Sequence, residues 1–302
     1  MPVRVRLLAN PASGRGRGAR VIPDARAALS AAGLGNDVVT TNAPGDEVRL
    51  AHEAVADGIE TLVVLGGDGT WSQAARGVIE AGGGHRCRLA FLAAGTGNDL
   101  VKSIGAPASD LAETARLVAQ GHEKRIDAGR VAGHLFFNCA GFGFDAAVLE
   151  RTQRPTRFRG AAVYIAAALS ELFGYAGLLV RVDGAPEANR LMLVVSNGEW
   201  FGGTFHIAPG AHADDGLLDM VSITDAGTFA RLGLFARVVR GTHLSQPSVE
   251  HRRATNFHLQ FTQPPAVQID GELVQLSTAD VRIECLPDAL AIVSRQTSAF
   301  VA

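Results

Sequence analysis

Five short stretches of this chain hold residue types at spacings that could do chemistry. The first, Asn10-Pro11-Ala12-Ser13-Gly14-Arg15-Gly16, follows an apolar run and precedes a helical pattern. A loop so placed offers unpaired backbone N–H groups beside a helix N-terminus, an arrangement that takes phosphate. Arg15 and Arg17 add positive charge, although Ser and Gly also build ordinary turns. The second is Gly66-Gly67-Asp68-Gly69-Thr70. Glycines here let the backbone pass close to a ligand. Asp68, set among backbone donors, can hold magnesium directly or through water. Thr70 can cap the following helix and donate to a phosphate oxygen. A tight turn capped by Asp68 is the plainer reading, but three glycines around one aspartate exceed what a cap needs. The third, Gly95-Thr96-Gly97-Asn98-Asp99, places Thr96 to touch a nucleotide, with Asn98 or Asp99 as a cap. The fourth, residues 208–217, is rich in Asp and Gly. It can fold round a hard cation through one carboxylate and backbone carbonyls, or be a hairpin loop with solvated acids. The fifth, Asp270-Gly271-Glu272, puts a carboxylate on a tight turn, where it could take the proton from an attacking hydroxyl. By itself this triplet is equally a common hairpin turn.

The elements around these stretches decide whether they can meet. Residues 4–9, 37–41, 61–65 and 88–92 read as strands, and 19–32, 46–56 and 70–81 as helices. The run Thr61-Leu62-Val63-Val64-Leu65 is continuously apolar, as expected of a strand buried on both faces. Strand–helix alternation implies a parallel sheet covered by helices, with ligands beyond the carboxyl ends of the strands. The three glycine-rich loops fall at those ends. After about residue 125 the texture becomes that of an antiparallel sandwich or barrel. Strand-like runs fall at 135–139, 178–182, 191–195, 217–223, 257–261, 266–269 and 281–285, with helical stretches near 161–172 and 228–240. The expected domains are 1–125 and 126–286.

Bulk properties narrow the class. The chain has 302 residues, 47% apolar and 19% charged, which suits a sizeable core and argues against disorder. A formal net charge of −2 does not favour nucleic acid, and any attraction to an anionic membrane must come from a local patch. Cys87, Cys139 and Cys285 have neither metal nor disulfide spacing, so a reducing cytoplasm is the simpler expectation. The N-terminal stretch lacks the apolar core of a signal peptide. Residues 160–180 carry one charge, Glu171, and read as a buried helix followed by a strand rather than a membrane span. Arg151, Arg154, Arg157 and Arg159 form a locally basic stretch that is either a solvated loop or a dock for anionic lipid. The helical stretch 232–239 has an apolar face of the kind that usually packs on a core.

Taken together and in order, the five stretches resemble the diacylglycerol kinase catalytic-domain family, which includes bacterial soluble lipid kinases, sphingosine kinases and ceramide kinases. Asn138-Cys139-Ala140-Gly141-Phe142-Gly143-Phe144-Asp145 and Ser196-Asn197-Gly198-Glu199-Trp200-Phe201-Gly202-Gly203 look like it too. The Gly-Gly-Asp-Gly-Thr stretch is shared with NAD kinases, and a related form occurs in phosphofructokinases; the full set is specific. The resemblance implies an α/β nucleotide domain of phosphofructokinase or NAD kinase type, completed by 287–302, a β-sandwich lipid domain, and a cleft between them. It implies ATP and Mg2+ as cofactors and a lipid as substrate, met by peripheral contact with the inner face of a membrane. Asn10, Ser13, Gly14, Thr41, Gly66, Gly67, Asp68, Gly69, Thr70, Trp71, Ser72 and Thr96 are then expected to line the ATP site. Glu272 is expected to be the catalytic base, helped by Asp68 at the phosphates. Asp215, with the backbone carbonyls of His212 and Leu217, is expected to form a metal site. The rivals are an NAD kinase-like enzyme and a non-catalytic nucleotide or lipid sensor on the same fold.

Overall fold

The structure is a computed structural model and describes residues 3–94, 98–107, 109–152, 161–172, 174–225 and 227–295. The chain divides into two compact units, one running to Ile126 and resumed from Asp288, the other spanning Asp127–Pro287.

The first unit begins with β1 (Val5–Ala9), α1 (Ser13–Ala31), β2 (Asp37–Thr40), α2 (Asp46–Ala56), β3 (Thr61–Gly66) and α3 (Asp68–Glu80). It continues with β4 (Arg88–Ala93), α4 (Asp99–Ile104) and α5 (Leu111–Gln120). Its strands are parallel in the order β2-β1-β3-β4. Every residue of β3 is buried, because β3 lies between β1 and β4 with helices over the sheet. Leu7, Val63, Leu65, Ala90 and Leu92 share one core with Ala25 and Leu29 of α1 and Leu117 and Val118 of α5. Helix α2 buries Glu47, Leu50, Ala51 and Ala54, a helical stripe that contains one charged residue.

The second unit holds β5 (Lys124–Val131, which enters it from the first), β6 (His134–Phe136), β7 (Cys139–Gly143), α6 (Phe144–Thr152), α7 (Ala161–Glu171), β8 (Leu178–Val182) and β9 (Ala188–Ser196). Then come β10 (Trp200–Phe201), β11 (Phe205–His206), β12 (Leu218–Thr224), α8 (Thr228–Val239), β13 (Val249–Ala254), β14 (Asn256–Phe261), β15 (Ala266–Ile269) and β16 (Glu272–Gln275). The last strand, β17 (Asp280–Ile292), leaves this unit and ends in the first, where Ile292 runs parallel to Leu89 of β4. The strands of the second unit pair antiparallel in the order β16-β15-β7-β9-β8-β14-β17, with β12 on the other edge of β9 and β13 beyond it. One face encloses Phe136, Phe142, Val195, Phe257 and Ile283. The other packs Val194 and Val221 beneath residues of α6, α7 and α8. The architecture is therefore the expected one, a parallel α/β region followed by an antiparallel, sandwich-like region.

Two local differences from the sequence expectation have physical causes. A single strand over 135–139 is replaced by β6 and β7 with a break between them. The break exists because the N–H groups of Phe137, Asn138 and Cys139 all donate to the Asp270 carboxylate instead of to a neighbouring strand. Strand β13 carries Glu250, His251, Arg252 and Arg253, so no apolar alternation marks it, yet it pairs along β12 over six positions.

Candidate active site

In the first unit the first two glycine-rich loops meet at the carboxyl ends of β1 and β3, with Ala94 and Asn98, on either side of residues 95–97, against them. The Asn10 N–H donates to the Leu65 carbonyl at 2.9 Å, and the Asn10 Nδ2 amide donates to the Thr70 hydroxyl at 3.1 Å, so the first loop is bolted to the second. Ser13 Oγ donates back to the Asn10 carbonyl at 2.7 Å. Gly14, Arg15 and Gly16 then take three successive left-handed conformations, with φ of 57°, 60° and 83°, which interrupt α1 at its start. Gly14 is fixed by space as well as by φ: a Cβ there would lie 2.0 Å from the Ala94 carbonyl oxygen, which brings the first loop against the third. The second loop is equally tight. A Cβ on Gly66 would fall 2.4 Å from Thr70 Cβ, and Thr70 is buried.

Asp68 opens α3 and closes the triangle. Its Oδ2 accepts the Asn98 N–H at 2.7 Å, and the N–H groups of Asp99 and Leu100 also point at the carboxylate. Burial, and then the neighbouring Asp99, push its carboxyl up to about 6, with those three N–H groups pulling the other way. Asp68 Oδ1 and Asn98 Oδ1 are buried acceptors with no hydrogen-bond partner among the described residues. Orphaned acceptors of this kind, beside a loop too tight for a Cβ, fit a hard cation and the phosphates it would carry. Thr41 sits just past β2, half-buried, and donates its N–H to the Ala9 carbonyl at 3.0 Å, next to the first loop. Gly67 and Ser72 are half-buried and Gly69 is exposed. Thr96, with Gly95 and Gly97, lies outside the described residues.

One expected member of this site is placed elsewhere. Trp71 is 1% exposed, stands edge-on to Phe91 at 6.2 Å, and donates its backbone N–H to Gly67. It faces the sheet because that is the side of α3 its position presents, so its ring belongs to the core and offers no surface to a nucleotide. Sequence reasoning also missed a residue. Glu47 is 5% exposed; its Oε1 accepts from Asn10 Nδ2 at 3.0 Å, and its Oε2 is buried without a partner among the described residues. The available signal was a glutamate standing in the buried stripe Leu50, Ala51 and Ala54 of α2.

The second unit displays the acidic turn. Asp270 and Gly271 form the two-residue loop between β15 and β16, with φ of 46° and 90°, the left-handed pair that a tight hairpin requires. The Asp270 carboxylate accepts from Phe137 N at 2.8 Å, Asn138 N at 2.9 Å and Cys139 N at 3.0 Å, and its own N–H donates to the Cys139 carbonyl. Glu272 follows as the first residue of β16, paired with Ile269 and exposed. The two carboxylates of the turn thus differ: Asp270 is spent on the scaffold and Glu272 is displayed. The scaffold continues outward. The Asn138 carbonyl accepts from Asn197 N and Gly198 N, Asn138 Nδ2 donates to the Trp200 carbonyl, and Asn197 Nδ2 donates to the carbonyls of Asp127 and Phe137. Asp145, 4% exposed, lies so close over Gly141 that a Cβ there would meet Asp145 Oδ2 at 1.7 Å. Burial pushes its carboxyl up to about 7.

The loop over 208–217 is closed on itself. Asp127 N donates to the Ala213 carbonyl and Asp127 Oδ2 accepts from Gly216 N, both at 2.7 Å. Asp215 Oδ1 accepts from Leu217 N at 3.0 Å, Asp215 Oδ2 pairs with the Arg253 guanidinium, and the side chain of His212 is exposed. A cation at Asp215 would therefore have to displace Arg253. No group of three or more His, Cys, Asp or Glu able to hold a metal occurs among the described residues. Of the basic stretch, Arg151 pairs with Glu171 at 3.1 Å, while Arg154, Arg157 and Arg159 lie outside the described residues. No described helix is long and apolar enough to cross a membrane.

Comparison with known proteins agrees with this geometry. A family model for the diacylglycerol kinase catalytic domain matches residues 4–131, and one for the YegS C-terminal NAD kinase beta sandwich-like domain matches residues 138–294. The chain is 30% identical over 300 residues to a diacylglycerol kinase of Mycobacterium tuberculosis, covering 96% of this chain and 94% of that one. It is 33% identical over 258 residues to a Pseudomonas syringae protein named "Probable lipid kinase YegS-like", covering 84% and 82%. Among solved structures, a diacylglycerol kinase from Bacillus anthracis str. Sterne superposes with a TM-score of 0.74 at 24% identity over 97% of both chains, a likeness of fold.

Proposed function

This chain belongs to the diacylglycerol kinase family of lipid kinases, and we propose that it transfers the γ-phosphate of ATP to the hydroxyl of a lipid, diacylglycerol or a related acceptor. The observation that carries the reading is the triangle of contacts Asn10–Thr70, Asp68–Asn98 and Gly14–Ala94, which gathers three phosphate-type loops at one edge of a parallel sheet. In this proposal the backbone N–H groups of the first and second loops hold the phosphates. Asp68, through the oxygen that has no partner among the described residues, holds a magnesium ion, directly or through water. Magnesium, when bound, supplies neutralisation of the phosphate charge. Asn10 and Glu47 orient Thr70 from behind. Glu272 accepts the proton of the acceptor hydroxyl as that oxygen bonds to the γ-phosphorus and the bond from the γ-phosphorus to the bridging oxygen breaks, so that ADP leaves; Asp270 fixes the turn from which Glu272 projects. Positioning and charge complementarity supply most of the rate.

The three cysteines are buried and free, which suits a reducing compartment, and we place the enzyme in the cytoplasm, reaching its lipid at a membrane surface. The deciding experiment is a thin-layer assay of purified protein with labelled ATP, offered diacylglycerol, a total lipid extract and NAD in parallel. Labelled lipid is the expected product. Label on NAD alone, or ATP binding with no labelled product at all, overturns the proposal in favour of a nucleotide kinase or a sensor.

A further inference from the structure

Helix α8 lacks the polar outer face that a water-exposed helix carries. Arg231, Leu234 and Val238 line its buried side. Away from them, Phe229 is 91% exposed and Val239 is 40% exposed, with Gly233 and Ala236 exposed between them, while Leu232 is half-buried against the core. Nothing acidic occurs from Thr228 to Val239. Arg237 and Arg240, at the C-terminal end, are exposed and pair with no carboxylate among the described residues. The exposure of Phe229 does not come from a loose helix end. Arg231, two residues along, is buried and donates to the Leu172 carbonyl at 2.9 Å and to Asp225 Oδ1 at 2.6 Å, which clamps the first turn of α8 to the end of α7.

We propose that this outer face of α8 is a docking surface for an anionic lipid bilayer. Phe229 enters the boundary between headgroups and acyl chains, Ala236 and Val239 lie along it, and Arg237 and Arg240 meet lipid phosphates. Two arguments select a bilayer over a second copy of the chain. A basic, acid-free face complements a negatively charged surface. The area is also too small for a stable dimer: twelve residues of helix are about 18 Å long, whereas a specific protein interface takes about 800 Å² from each partner. A single inserted aromatic flanked by arginines is enough for reversible binding to a membrane. The inference rests on the lipid-kinase reading for its purpose, since an acceptor held in a bilayer has to be met there, but its observations and its test do not involve phosphorylation.

The test is co-sedimentation of the full chain with vesicles of phosphatidylcholine alone and of phosphatidylcholine mixed with phosphatidylglycerol. The wild type is expected to pellet with the mixed vesicles and much less with the neutral ones. Phe229→Glu should weaken pelleting by about tenfold or more, the value of one buried aromatic side chain. Phe229→Ser, with no new charge, should weaken it nearly as much, and Arg237→Gln and Arg240→Gln should each weaken it about fivefold. All three positions are exposed, so the four variants should fold and should phosphorylate a short-chain diacylglycerol dispersed in detergent as the wild type does. If Phe229→Glu and Phe229→Ser pellet like the wild type, or the wild type ignores both vesicles, the docking face is wrong. A dimer in sedimentation velocity that Phe229→Glu dissolves would overturn it in favour of self-association. A lipid-kinase failure reads out separately, as no labelled lipid from any variant while vesicle binding follows the expected order.

Discussion

The Asp270-Gly271-Glu272 turn makes a sharp prediction because its two carboxylates have opposite duties. The perturbations are Asp270→Gly, Asp270→Ala and Glu272→Gln. Asp270 accepts three backbone N–H bonds of 2.8–3.0 Å. A hydrogen bond to a charged group contributes about 1.5–3 kcal/mol, and three on one carboxylate are not additive. Asp270→Gly should therefore cost about 3–5 kcal/mol, because it strands three donors where chain and strand ends leave little room for water. Asp270→Ala should cost about 1 kcal/mol more, since the residue sits at φ 46°, where a Cβ is strained and glycine is not. By the usual scaling, either change lowers Tm by roughly 6–15 °C. Glu272 is exposed on the far side of the same turn. Glu272→Gln should leave Tm within about 1 °C, as surface changes do, and lower kcat by about a hundredfold or more with KM for ATP little changed. The assays are differential scanning calorimetry and steady-state kinetics on the same preparations. Asp270→Gly with an unchanged Tm would refute the anchoring argument. Glu272→Gln with near wild-type kcat would falsify the base assignment, whatever happens at Asp270.

Three further predictions follow from the first unit and the buried acids. Gly14→Ala puts a Cβ 2.0 Å from the Ala94 carbonyl at a left-handed φ, so ATP affinity should fall by about tenfold or more. Gly16→Ala, with a left-handed φ and open space around it, should cost only about 1 kcal/mol and spare affinity, and equal effects in titration calorimetry would refute the packing argument. Glu47→Ala removes the carboxylate behind Asn10, so KM for ATP should rise several-fold with only a small change in kcat; an unchanged KM removes Glu47 from the positioning network. Asp145 gives a pH signature. Its native carboxyl keeps its proton up to about 7, while that of the unfolded chain loses it near 4. The native state binds more protons across that window, so stability should fall as pH rises through it, by up to about 4 kcal/mol, and level off above. Asp145→Asn should flatten that part of the curve, and urea titrations at a series of pH values will show whether it does.

Much of this was readable before any coordinates, and the reasons are specific. The run from Thr61 to Leu65 has no polar break, so its place between two parallel neighbours followed from burial on both faces. The loops after β1, β3 and β4 were legible because glycine at a strand end is strong punctuation. Trp71 was misread because proximity in sequence to a phosphate-type loop says nothing about which side of α3 a position faces; one residue along a helix turns the side chain by about 100°. Glu47 was missed because its partner is 37 residues away, and a glutamate inside an amphipathic stripe looks like a surface residue. The break between β6 and β7 was invisible for a similar reason. Its cause, Asp270, lies more than 130 residues downstream, and no local propensity encodes an acceptor that arrives from so far away.

The stretches that carry the family likeness do not all carry chemistry, and the hydrogen bonds separate the two groups. Asp270 gives its carboxylate oxygens, and Asn138 and Asn197 give their side-chain amide N–H groups, to backbone groups of the same unit. Gly66 and Gly141 are glycines because the side chains of Thr70 and Asp145 occupy the space a Cβ would need. These positions are constrained by the fold, and any protein building this turn or this strand end would need them whether or not it transferred phosphate. At the loops of the first unit, one oxygen each of Asp68, Asn98 and Glu47 is buried with no partner among the described residues, and in the second unit Glu272 is exposed at the end of a hairpin. Each such acceptor costs about 1–3 kcal/mol, and these stand on or beside loops built with free backbone N–H groups. That cost is the physical reason to expect a ligand at the loops of the first unit. It also means that conservative changes at Asp68 should be tolerated better by the fold than by binding, the reverse of what Asp270 will show.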